Sequence, residues 1–178
     1  VAFRGEYYEL APHARHLVRG LIYPVPDPDF PFLGVHLTRG VDGSVHAGPN
    51  AVLALAREGY RWRDVVPAEL VGTLRAPGFR HLVARHARQG LDEMLRSVSR
   101  RRFLTSLQQL VPELTEADLV PSPSGVRAQA VLPDGSLVDD FLLVERPGEL
   151  HVLNAPSPAA TSSLGIGAEI ARRLASHS

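Results

Sequence analysis

The residues best suited to chemistry in this chain are one arginine, two histidines, a tyrosine group and a run of small side chains. Arg127 sits in the middle of an apolar segment, Gly125-Val-Arg-Ala-Gln-Ala-Val131, where its guanidinium cannot escape by lying at the end of an element. Its rigid fork of donors matches a carboxylate bidentately, supplied either by a ligand or by an internal acid such as Asp139 or Asp140. His36 and His151 each lie in a strand-like segment among apolar neighbours. An imidazole there can take a proton from a substrate hydroxyl, or sit in a core with its hydrogen bonds satisfied. Tyr7, Tyr8 and Tyr23 line a pocket or pack.

The segment Asn154-Ala-Pro-Ser-Pro-Ala-Ala-Thr-Ser-Ser-Leu-Gly-Ile-Gly167 follows a strand and opens a helix with small side chains only. Such an end offers backbone N–H groups and a positive dipole to an anion or an electron-rich ring edge. The purely structural account has Ser157 capping the helix with Pro158 at its first position. The histidines do not suggest a metal site, because His81 and His86 are off the i, i+4 spacing that puts two ligands on one helix face, and they are expected to face solvent. Arg100-Arg101-Arg102 is read as a solvated helix end where cations favour the dipole. A strand-borne GxGxxG turn, a P-loop and a GxSxG elbow are all absent from the sequence.

The elements that must position these residues follow from pattern. Short apolar runs over 1–10, 16–25, 32–38 and 44–47, separated by turn formers at 24–28 and 42–44, predict a meandering antiparallel sheet. From Pro67 to Arg102 the apolar period becomes three to four, which predicts two or three helices, with a further helix over Phe103–Val111 ended by Pro112. Strands return at 125–132, 137–145 and 149–153, joined by Pro133-Asp-Gly-Ser136 and Pro147-Gly148, and an amphipathic helix closes the chain over Pro158–Ala175. The fold class is therefore α+β, a largely antiparallel mixed sheet flanked by helices, with a terminal strand and helix.

The chain's 178 residues, 44% hydrophobic, can bury a core. The 19 basic residues, all arginine, balance 19 acidic ones, so nothing favours nucleic acid or an anionic surface as partner, and a small molecule is expected. Without cysteine there is no thiolate chemistry, so redox chemistry would need a cofactor. No run approaches the length of a membrane span, and Val1 opens inside a strand-like segment, as a cut end would.

Six blocks in order resemble the family of L-2-hydroxyglutarate oxidases and dehydrogenases, within the D-amino-acid-oxidase-like flavoproteins. They are Phe3-Arg-Gly-Glu-Tyr-Tyr8, Ile22-Tyr-Pro-Val-Pro-Asp-Pro28, Pro31–Arg39, Gly48-Pro-Asn-Ala-Val52, Gly125–Ala130 and Asn154–Ser163. The resemblance implies an FAD-dependent oxidation of L-2-hydroxyglutarate to 2-oxoglutarate. Residues 1–148 would form the substrate-binding domain and 149–178 the last strand and helix of the FAD-binding domain, with the GxGxxG portion and most FAD contacts outside this chain, which alone would be inactive. It implies Arg127 as the grip on the substrate carboxylate, His36 or His151 as proton acceptor, and Tyr23 in the pocket. Arg39 would be a candidate for the second carboxylate. Asn154, Ser157, Ala159, Ala160, Thr161 and Ser162 would lie at the flavin. The competing expectations are a related amino-acid or glycerol-3-phosphate oxidoreductase and a non-catalytic module that binds a small carboxylate. A homodimer is expected if the chain folds alone. The resemblance leaves open oxygen or a quinone as electron acceptor, and a cytoplasmic location or peripheral association with the inner membrane.

Overall fold

A computed structural model describes residues 1–25, 34–155 and 159–176. The order of elements begins with β1 (Ala2–Leu10), a 3-10 turn at Pro12–Leu17, β2 (Leu21–Ile22), β3 (His36–Arg39), β4 (Val45–Gly48) and β5 (Val52–Leu53). Helices α1 (Pro67–Arg75), α2 (Pro77–Val98) and α3 (Arg100–Gln108) follow, then β6 (Leu119–Ala128), β7 (Leu142–Arg146), β8 (Glu149–Asn154) and α4 (Ser163–Ser176). The fold is mixed, with antiparallel sheets and helices.

β1 is the axis of a six-stranded sheet ordered β2-β3-β4-β1-β5, with β6 on its other side. On one edge its partner changes along its length, from β5 at Phe3 and Arg4 to β4 at Tyr8 and Glu9. β6 runs along the opposite edge, with a register shift between Gly5 and Tyr7. Alternation along the strands sorts the faces. Leu10, Leu37, Val45, Ala47 and Leu119 form one buried cluster with Phe103, Leu104 and Leu107 of α3, while His36 and Thr38, alternating with Leu37, lie on the face turned away from it. Each large apolar side chain fully buried here stabilises the fold by about 1.5–3 kcal/mol.

Local chemistry explains most boundaries. Ala76 is both the end of α1 and the residue before Pro77, and it adopts an extended ψ of 124°, so one helix stops and another starts at a single residue. Pro77 then supplies the preset φ of a first helical position. Gly148, at φ 72°, makes the Pro147-Gly148 turn between β7 and β8, which pair as a separate two-stranded sheet. That hairpin straddles the boundary expected at 148/149, so β7 shares its ladder with the segment after it.

Several expected boundaries are corrected. The run expected as a strand over 16–25 contains only the two residues of β2, because Pro12 turns the chain into the 3-10 segment that reaches Leu17. β6 starts six residues earlier than expected, at Leu119 rather than Gly125, and carries Pro121 and Pro123 inside it. As an edge strand it can do so, since those residues need not donate on the outer side. The strand expected over 137–145 narrows to β7, with Val131 and Leu137 forming an isolated bridge and the Phe141 N–H bonded to Asp140 Oδ1. The helix expected from Phe103 begins at Arg100, because the Ser99 hydroxyl accepts the Arg102 N–H as an N-cap. The arginine run thus opens a helix instead of closing one, where the dipole disfavours cations. Arg100 instead sends its guanidinium to the Glu116 and Leu119 carbonyls.

Candidate active site

On the sheet face turned from the core, a cavity of about 450 Å³ gathers residues far apart in sequence: Tyr7 of β1, Tyr23 after β2, His36 of β3, Pro49 and Asn50 of the β4–β5 connection, and Arg127 of β6. Arg127 lies opposite Phe3, and Gly125 opposite Gly5. At Gly5 a Cβ would come within 2.7 Å of Pro49 Cβ, so glycine there lets the 48–51 connection close over the strand.

Each polar group has a defined state. His36 Nδ1 lies 3.1 Å from the Gly34 carbonyl oxygen, which can only accept, so Nδ1 carries a hydrogen and donates it, and Nε2 is the nitrogen left to face the cavity chemistry. The Tyr23 ring stacks on this imidazole at 4.3 Å between centroids and 20° between planes, which holds the plane of the base. Arg127 Nη2 donates to Gln129 Oε1 at 3.2 Å. Its side chain is exposed, which corrects the expectation of a buried guanidinium: β6 is an edge strand, so a central place in an apolar segment does not bury it. Burial raises the Tyr7 hydroxyl above the ordinary phenol value, the positive charge of Arg127 draws it partly back, and Tyr23 raises it again. Tyr7 therefore stays protonated and can donate.

Of the residues singled out from sequence, Arg127, Tyr23 and His36 meet at this cavity. Arg39 does not line it. Its Nη1 donates to the Arg15 and Val18 carbonyls at 3.1 and 3.0 Å, holding the 3-10 segment against the end of β3, and the odd separation from His36 sends it to the other face. His151 does not line it either. It is exposed on β8, with Nε2 3.1 Å from Glu149 Oε2. The cavity also takes in Tyr7 and Asn50. Tyr7 carried a sequence signal only as a pocket-or-packing aromatic, and Asn50 only as part of Gly48-Pro-Asn-Ala-Val52.

His81 is exposed and His86 half-buried at a break in α2, where its φ of −120° and ψ of 26° leave helical geometry. Ser157 and Pro158 lie outside the described residues. Ala160, Thr161 and Ser162 form an exposed turn after a half-buried Ala159, and α4 starts at Ser163, later than the proline had suggested. Asn154 commits its amide N–H groups to the Val138 and Asp140 carbonyls, at 3.2 and 2.8 Å.

The model of the family described as "FAD dependent oxidoreductase" matches residues 1–173. The chain is 55% identical over 97% of its length to an L-2-hydroxyglutarate dehydrogenase of Salmonella houtenae and 54% identical to that of Escherichia coli K12, spanning 41% of each. It is 48% identical over 96% of its length to the mitochondrial L-2-hydroxyglutarate dehydrogenase of Mus musculus, of which it spans 38%. The chain thus spans about two fifths of the curated relatives it matches. With nearly its whole length matched, the chain belongs to the family of FAD-dependent oxidoreductases.

Proposed function

We propose that this chain is the substrate-binding domain, residues 1–148, together with the last strand and helix of the FAD-binding domain, residues 149–178, of an enzyme that oxidises L-2-hydroxyglutarate to 2-oxoglutarate. One observation carries the reading: Arg127, Tyr7, Tyr23 and His36 line a single cavity, a guanidinium and a phenol beside an imidazole whose Nδ1 is engaged by the Gly34 carbonyl.

Arg127 would hold the C1 carboxylate through its fork, and the neutral Tyr7 hydroxyl would donate to a ligand oxygen beside it. His36 Nε2 would accept the proton of the C2 hydroxyl, with Gly34 retaining Nδ1–H so that the imidazolium formed stays oriented.

FAD, when bound, would accept the hydride from C2. The Ala159–Ser162 turn would present small side chains and the positive end of the 14-residue α4 to a flat ring edge. Leu153 and Leu164 are 60% and 91% exposed, as expected for a strand and helix that complete a larger sheet. Among the described residues no helix is long and apolar enough to cross a membrane.

The test is an absorption spectrum of the chain combined with an FAD-binding N-terminal portion. Flavin bands bleached by L-2-hydroxyglutarate are expected. Bleaching by glycine and by no 2-hydroxy acid would overturn the substrate assignment.

A further inference from the structure

At Glu6 the sheet is interrupted on both sides of β1. One edge neighbour, β5, ends opposite Arg4 and the next, β4, begins opposite Tyr8, while on the other edge the β6 register slips between Gly5 and Tyr7. The gap falls between Gly5 and Tyr7, two of the β1 residues that line the candidate cavity. A break there would leave the Glu6 backbone unpaired and the direction of Tyr7 undetermined.

Asn50 fills the gap. Its backbone N–H donates to the Glu6 carbonyl at 3.3 Å, as a strand residue would, but the return bond goes to its side chain: the Glu6 N–H donates to Asn50 Oδ1 at 2.7 Å. The other half of the amide is used as well, with Nδ2 donating to Glu6 Oε2 at 2.9 Å. The orientation of the amide is chemically forced, since a backbone N–H needs the oxygen and a carboxylate needs the nitrogen. Asn50 is 3% exposed, and the Glu6 carboxylate is itself held by Arg4 and by the Ser97 hydroxyl. The neighbouring Ala51 N–H is bound in turn by Glu93 of α2 at 3.1 Å. Gly48, at φ 134°, passes so close that a Cβ would lie 2.8 Å from the Glu6 carbonyl oxygen.

We infer that Asn50 is a positioning residue: its amide replaces a missing stretch of strand, fixing the 48–51 connection as the cavity wall and aiming Tyr7 beside Arg127. The inference rests on the proposed reaction for its kinetic readout, but the pairing itself does not. Asn50 acts through Glu6 and Tyr7 on where the substrate carboxylate sits, so its loss acts on KM more than on kcat.

The pairing has a complementary exchange. Asn50→Asp sets two carboxylates about 3 Å apart across the Nδ2 bond. Asn50→Asp with Glu6→Gln restores one donor and one acceptor in reversed order, the new amide at position 6 now donating to the new carboxylate at position 50. In the protein extended to the full length of its relatives, N50D is expected to raise KM for L-2-hydroxyglutarate roughly tenfold with kcat within about twofold, and N50D/E6Q to return KM to within about threefold of wild type. The Tyr7 ring resonance in the NMR spectrum, which is independent of the substrate turned over, should move in N50D and return in the double variant. If N50D fails to fold, recovery of a folded, wild-type-like double variant reads the same way. A double variant no better than N50D, in KM, in the Tyr7 signal or in folding, overturns the inference. An intact Tyr7 pattern in a wild-type protein that does not oxidise L-2-hydroxyglutarate overturns the proposed reaction alone.

Discussion

Replacing Arg127 with Met separates binding from folding, because this side chain is exposed on an edge strand and would be asked to grip a carboxylate. A hydrogen bond to a charged group contributes about 1.5–3 kcal/mol, and a fork makes two. Taking the lower figure for each, because the site is open to water, R127M removes about 3 kcal/mol, which is roughly a 100-fold loss in kcat/KM, most of it in KM. Lys in the same place keeps a point charge but not the fork, so R127K should lose about tenfold. The folding cost of R127M should be limited to the hydrogen bond that Arg127 makes to Oε1 of the buried Gln129, about 1 kcal/mol, far less than the loss in kcat/KM. A second reading comes from Tyr7, whose hydroxyl is lowered by the charge of Arg127 against the upward push of burial. R127M should therefore raise the Tyr7 pKa further, and R127K should leave it nearly unchanged. Steady-state kinetics on the full-length protein, thermal melts and a phenol titration by ultraviolet difference absorption measure all three. A kcat/KM for R127M within threefold of wild type would refute the carboxylate grip. So would a loss that tracks a fall in melting temperature.

Two further outcomes follow from the same geometry. His36→Gln keeps a polar side chain of similar reach but no base, so kcat should fall by about 10²–10⁴-fold while the Tyr7 signal stays in place, and a kcat within tenfold of wild type would remove His36 as the proton acceptor. Asp118 is buried, which pushes its pKa up, but hydrogen bonds from the Thr115 N–H and hydroxyl and from His13 outweigh burial and leave it below the ordinary value. A folded pKa below the unfolded one means stability that is present above the unfolded carboxylate value of about 3.9 and is lost as pH falls through the folded value. Asp118→Asn should thus cost about 1–3 kcal/mol at pH 7 and progressively less as pH falls below the unfolded carboxylate value, and urea denaturation showing a deficit that does not shrink with falling pH would refute the assignment.

The sequence reveals the sheet wherever alternation meets a buried face, and fails where tertiary context overrules a local rule. The strand expected from Gly125 starts at Leu119, because Pro121 and Pro123 lie in an edge strand whose outer side needs no donors. Arg100-Arg101-Arg102 reads as a helix end by its charge, yet the Ser99 cap starts the helix there, and Arg100 finds carbonyls of the following segment to bind. Arg127 could be singled out because a cation in an apolar strand demands explanation, but its exposure depends on which strands flank β6, and no local pattern encodes that. His36 and His151 have similar neighbours along the chain. Only pairing separates them, since β3 stands in the main sheet beside Tyr23 and β8 in a hairpin of its own.

Tyr7 and Asn50 show why the site was only partly legible. The chemistry of a pocket is carried by side chains that periodicity can flag, but the aim of those side chains is set where periodicity breaks. Along β1 the ladder to β6 slips between Gly5 and Tyr7, while on the opposite edge, where β5 gives way to β4, an amide forty-four residues from Glu6 stands in for a strand. A gap of this kind leaves a strand position without a ladder partner and therefore persists where something else satisfies the freed groups. Here the compensating group, Asn50, also lines the cavity, so the element that repairs the sheet is part of the wall that shapes the site.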